Sequence, residues 1–160
     1  MLPHRFGGCM RSFLLLIALL ITAGFSRAEV EVSAWSRATP PGATTAAIYG
    51  RFSNNGDQAM SVARIQAAFA EHAMIHETQH RNGMATMRHG SLSIPPAGHV
   101  ELRPGGMHVM LMGMNRELLT GCYYEFSLIW TDGSTSRHKF LTGGLGQLSP
   151  PEPTTAESCL

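Results

Sequence analysis

The run YYEFSLIW (Tyr123–Trp130), followed by Thr131-Asp132-Gly133-Ser134-Thr135 and then SRHKFL (Ser136–Leu141), decides the fold class. Both runs alternate with period two, the repeat of a half-buried β-strand. Asp132-Gly133 between them suits a tight hairpin turn in which both central residues take positive φ. Working outward, the same pattern recurs in Val30–Trp35, Ala46–Phe52, Leu92–Ile94, His99–Leu102 and His108–Met112. Turn formers separate these runs: Pro40-Pro41-Gly42, Asn54-Asn55-Gly56-Asp57, Asn82-Gly83, Pro95-Pro96-Ala97-Gly98 and Pro104-Gly105-Gly106. Many short strands broken by turns predict an all-β antiparallel sandwich or small barrel. The exception is Val62–His80, where Ala63, Ala67, Ala68, Ala70 and Ala73 favour helix. Strand or irregular structure is expected there from Glu71 onward.

The amino end is read as an address. Arg5 and Arg11 precede the apolar run Phe13–Ile21, and small residues follow at Ser26 and Ala28. That run is short of the roughly 20 residues a membrane-spanning helix needs. Residues 1–28 are therefore expected to be a cleavable secretory signal, leaving a mature periplasmic chain with no membrane segment. Cys9 lies before the apolar run and so is not placed to carry a lipoprotein's lipid. Residues 29–148 then form one domain, and the Pro-rich 149–160 a flexible tail.

Removal of the leader takes three Arg and no acid, so nine basic and eleven acidic residues remain. Without a basic stripe, a nucleic-acid partner is excluded. A monomer is expected. Two cysteines remain, Cys122 and Cys159. With Cys159 in the tail, no obligatory bridge is expected.

The informative residues are soft ligands. Seven Met (Met74, Met84, Met87, Met107, Met110, Met112 and Met114) and five His (His76, His80, His89, His99 and His108) fall between positions 74 and 114. On a strand His108 and Met110 share a face, with Val109 and Leu111 turned to a core. Met112 and Met114 are expected to extend the ligand face. A hairpin about Asn82-Gly83 can bring His76 and Met87 opposite one another. His76, Met87, His108 and Met110 then make an N2S2 set of neutral ligands, suited to Cu(I) rather than to Zn(II), Mg(II) or Ca(II). Because His must be neutral to ligate, Cu(I) binding should weaken below roughly pH 6. Single Met and His residues elsewhere are read as packing or surface groups, as for Met60, His89, His99 and His138.

These four residues, spaced His76-x10-Met87-x20-His108-x-Met110, resemble the signature of the periplasmic PCu(A)C copper chaperone family. Ala34–Gly42, Asn54-Asn55-Gly56 and Pro104–Met114 are similar to its other landmarks, and the likeness runs from Val30 to Thr142. The resemblance implies a cupredoxin-like Greek-key β-sandwich holding one Cu(I) per chain at an exposed site. It also implies delivery of copper to the CuA-bearing subunit of cytochrome c oxidase, with Sco-type copper proteins as further partners. The spacing between Met87 and His108 is one residue shorter than the family's, which the turn Arg88–Ser91 would absorb. If a strand shifts instead, Met84 would replace Met87. The tail holds no His or Met for a second ion.

Other readings use the same residues differently. His72, His76 and His80 recur every four positions and would make a zinc or Cu(II) scavenger site. An electron-transfer cupredoxin needs a Cys with His and Met downstream, and no Met follows Cys122. A metal-free interaction module would leave the His and Met cluster without a role. No nucleophile–base pair or phosphate loop points to an enzyme.

Overall fold

The computed structural model describes residues 30–81, 83–152 and 159, and for His80 and Arg81 the backbone only. The expected leader and Asn82 of the turn lie outside these residues. Ten strands follow in order: β1 Val30–Arg37, β2 Thr45–Asn54, β3 Met60–Gln66, β4 Ala70–Arg81, β5 Met84–His89, β6 Ser93–Ile94, β7 Gly98–Leu102, β8 Met107–Met114, β9 Tyr123–Trp130 and β10 Thr135–Gly143. The hydrogen-bonded order β4-β8-β2-β1-β10-β9-β3 closes on itself through the pairing of Ile65 in β3 with Ala73 in β4. The result is the expected all-β sandwich, flattened around a closed circuit. Only β1 and β10 run parallel in it. Closure pairs both edges of the seven circuit strands and leaves free edges only on short flanking strands such as β5.

Alternation fills the interior. Ile48, Phe52, Leu102, Val109, Leu111, Phe126, Leu128 and Phe140 are fully buried, and Phe69, Tyr124 and Phe140 stack against one another. Each such side chain contributes about 1.5–3 kcal/mol by leaving water. The alanine-rich stretch is not helical: Val62–Gln66 belongs to β3 and Ala70–Arg81 is β4. Ile65 and Ile75 supply the strand alternation, and β4 gains partners on both edges. Tertiary pairing thus overrides a propensity difference of a few tenths of a kcal/mol per residue.

Three further expectations are corrected. Asp132-Gly133 is not a two-residue turn with two positive φ angles. Trp130 N–H donates to Ser134 O at 2.9 Å, leaving a three-residue loop in which Gly133 alone is left-handed, at φ 84°. Met114 does not extend the ligand face. Gly113, at φ 64° inside β8, breaks the alternation and turns Met114 into the core. Cys122 and Cys159 form a disulfide across 37 positions, so the carboxyl end is tied to the sandwich after all.

A glycine shapes the site's support. Gly50, at φ 142°, lies where β2 hands its edge from β8 to β7, and a Cβ there would sit 2.1 Å from Ser33 O. Close approach of β1 to β2 at this point requires glycine.

Candidate metal centre

Strand β4 outruns β8. Its first part pairs with β8 as far as Glu77, while residues 76–81 pair with β5 on the other edge. The β4–β5 hairpin therefore projects from the barrel as a two-stranded arm, and every residue of β5 is exposed. The arm has two faces. On one, Glu77 opposes Arg88 with an ion pair at 3.5 Å. On the other stand His76, Thr78, Met87 and His89.

Register sets out the second face in rungs. His76 is opposite His108 on one side and opposite His89 on the other. The ring centroids are 6.0 Å apart for His76–His108 and 5.2 Å for His76–His89. The rung continues inward through Tyr49, 6.2 Å from His108, to Trp35, 4.9 Å from Tyr49. One step along β8, Met110 faces Met74; one further, Met112 faces His72. One step out along the arm, Met87 lies opposite Thr78 and is 64% exposed.

The four residues expected as ligands thus share one surface. His76 and His108 are direct neighbours, with Met110 on one side of their rung and Met87 on the other. Met84 sits on the opposite face of the arm, with Glu77 and Arg88, while Met87 shares the face of His76. His99 bonds Arg51 at 2.9 Å and His138 bonds Ser136 at 2.8 Å, both away from this surface. His89, read as a surface group, is exposed as expected and is also part of the His76 rung. A two-residue loop at 82–83 pairs 81 with 84, and counting back along both strands pairs 76 with 89. That signal was present in the sequence.

The hydrogen bonding leaves nitrogen free for a metal. His108 is buried, and its Nδ1 lies 3.0 Å from Gly106 O. A carbonyl only accepts, so Nδ1 donates in that bond; in the neutral ring Nε2 then keeps its lone pair, the usual orientation of a ligating imidazole. His76 Nδ1 is buried without a protein partner, a state shared among the described residues only by Thr142 Oγ1. Burial lowers the His76 pKa, and repulsion from His89 and then His108 lowers it further. That shift favours the neutral ring, the form that ligation requires.

A metal on an imidazole nitrogen lies about 3.2 Å from the ring centre, given a bond of about 2.0 Å. Two rings meeting at a tetrahedral angle are then about 5.2 Å apart, and about 6.0 Å when that angle opens to about 140°. The observed separations match this range. Among the described residues no three His, Cys, Asp or Glu side chains already converge to hold a metal.

The zinc triad is opened by the strand. At about 3.3 Å per residue, His72, His76 and His80 stand about 13 Å apart in turn along β4. Shared facing does not bring three such residues to one ion.

The chain matches the family described as "Putative lipoprotein LpqE-like" over residues 31–140. It is 36% identical over 118 residues to "Putative lipoprotein Lxx21020" of Leifsonia xyli subsp. xyli, covering 72% of this chain and 70% of that protein. Among solved structures, CuI-DR1885 from Deinococcus radiodurans is 32% identical, with a TM-score of 0.60 over 76% of this chain and 83% of that one. The apo PCuAC domain from PmoF1 superposes with a TM-score of 0.62 at 22% identity, covering 74% of this chain and 97% of that one. The cupredoxin-like fold expected from the sequence is the fold these structures share.

Proposed function

From the premise that the chain belongs to the LpqE-like family, we propose that it is an exported copper metallochaperone. One Cu(I) per chain is carried as cargo by His76, Met87, His108 and Met110. The observation that carries this reading is the His76–His108 rung, with one nitrogen buried and unpartnered and another lone pair left free by the bond to Gly106. The likeness to CuI-DR1885, a copper-loaded protein, supports it.

Two neutral imidazoles and two thioethers carry no charge. They hold a soft monovalent ion while competing poorly for hard cations. Because Met87 is exposed, an acceptor's ligand can replace its thioether first, and the remaining ligands can then exchange in turn. The CuA-bearing subunit of cytochrome c oxidase is the proposed acceptor, with Sco-type proteins as co-workers, in line with the PCu(A)C resemblance. The leader expected at residues 1–28 supports export, the periplasm being the proposed destination, and relatives named as lipoproteins support export as well. In this chain Cys9 precedes the apolar run, so the proposed product is soluble.

The test is an oxygen-free competition titration of the purified protein against a coloured Cu(I) chelator. One Cu(I) per chain, weakened in His108→Ala and Met110→Ala, is expected. Failure to compete, or binding indifferent to both substitutions, overturns the proposal.

A further inference from the structure

We propose that His89 is a third imidazole ligand of this centre, and that with it the site also accepts Cu(II). This rests on the reading of His76 and His108 as copper ligands and adds a valence to it.

The argument begins with register. β5, β4 and β8 are consecutive neighbours, and His89, His76 and His108 occupy one rung across them. Strand spacing of about 4.8 Å places the outer two backbones about 10 Å apart. An imidazole Nε2 carries a metal about 6.5 Å from its Cα, given a bond of about 2.0 Å. An ion above His76 is therefore within reach of His89 from one side and His108 from the other.

Around one ion the three rings can take three corners of a square, once ring rotation brings neighbouring ring centres to about 4.5 Å, the separation for two imidazoles at 90°. Cu(II) favours nitrogen donors in planar or tetragonal geometry, whereas Cu(I) favours soft thioethers. The centroid separation of 5.2 Å between His76 and His89 already suits two rings on one metal. His89 is exposed, so its ring turns without disturbing the core.

Met87 lies two residues before His89 on the same face of β5. The arm therefore offers a thioether and an imidazole side by side. Bound Cu(I) takes His76, His108, Met110 and Met87. Bound Cu(II), arriving in that oxidation state, takes His76, His108 and His89. No electron transfer is required of the protein.

The experiment loads the purified protein with one equivalent of a copper(II) salt and records electron paramagnetic resonance, beside His89→Ala and Met87→Ala. Cu(I) competition is run on the same three proteins. The expected result is nitrogen coupling from three imidazoles in the parent and two in His89→Ala, with Cu(II) affinity falling about tenfold or more. Cu(I) affinity should change less than about threefold in His89→Ala and fall about tenfold in Met87→Ala. An unchanged Cu(II) spectrum and affinity in His89→Ala overturns the proposal while leaving the Cu(I) site standing. Equal losses of both valences in that variant overturn the division of labour between His89 and Met87. Absence of binding in either valence overturns this inference and the chaperone reading together.

Discussion

The two ends of the Trp35–Tyr49–His108–His76–His89 row live in different surroundings. At the inner end Trp35 is 4% exposed and Tyr49 is 8% exposed, with the Arg37 guanidinium 5.8 Å over the Tyr49 ring. The segment after β10 returns here: Arg37 Nε donates to Gln147 O, and Pro150 and Pro151 line a cavity with Trp35. At the outer end the arm has solvent along all of β5. The centre straddles the boundary. His108 and Met110 stand on a barrel strand, while His76 is at the arm's root and Met87 is out along it. A carrier has to hold its ion in a defined geometry and still release it. In the proposed ligand set the barrel supplies the fixed half and the arm the accessible half.

Stability should follow the same division. Phe140→Ala removes a fully buried ring that stacks on Tyr124, and is expected to cost about 3–5 kcal/mol in urea unfolding. Thr86→Ala, on the exposed arm, should cost less than about 0.5 kcal/mol. An equal loss at the two positions would show that the arm folds as part of the core. The disulfide comes close behind. By chain entropy, closing a loop of 37 residues contributes about 4 kcal/mol, so Cys122→Ser should lower the unfolding midpoint by nearly as much as Phe140→Ala. A midpoint unchanged by that substitution or by reductant would mean that packing alone holds Cys159.

Reading depth differs between the same two regions. The barrel is legible because its strands are buried on one face, and alternation in Tyr123–Trp130 or His108–Met112 records that burial directly. Val62–Gln66 is less legible, since alanine is compatible with either structure and the partner that pairs along it, β9, is distant in sequence. Met114 departs from its period because one left-handed glycine changes its side. Cys159 finds Cys122 through three-dimensional return of the chain, which spacing does not encode. At the centre, His108 and Met110 follow from period two alone. His89 required counting back from the turn, and the unpartnered His76 nitrogen is visible only in the structure.

Copper affinity should register the split between barrel and arm. His108→Ala is expected to weaken Cu(I) about hundredfold and Met87→Ala about tenfold, or about 2.7 and 1.4 kcal/mol. Chelator competition measures both. A larger loss at Met87 would reverse the roles assigned to the two halves.

Acid acts on both regions with one sign. Burial lowers the pKa of half-buried His138 on barrel strand β10, and burial followed by His89 and His108 lowers that of His76. In the unfolded chain each takes a proton near the ordinary imidazole value of about 6.5. In the fold each does so only at lower pH. The unfolded state therefore binds more protons over that interval, and stability of the metal-free protein is full above it and declines as pH falls through it. Urea midpoints at pH 8 and pH 5 should show the decline, and His138→Gln should flatten part of it. A midpoint that rises on acidification would contradict the sign for both groups.

The smallest effect is expected at the Glu77–Arg88 pair, on the far face of the arm. Its side chains are 38% and 63% exposed and its atoms 3.5 Å apart. Exposed pairs contribute about 0.2–1 kcal/mol and lose part of that in salt. A double-mutant cycle with Glu77→Gln and Arg88→Gln should therefore find about 0.5 kcal/mol or less. Because the peptide plane of β4 separates this pair from His76, Cu(I) affinity should move less than about twofold in either single variant. A tenfold change in Arg88→Gln would mean that the polar face sets the pose of the arm. The accessible half of the ligand set would then be as fixed as the half carried by the barrel.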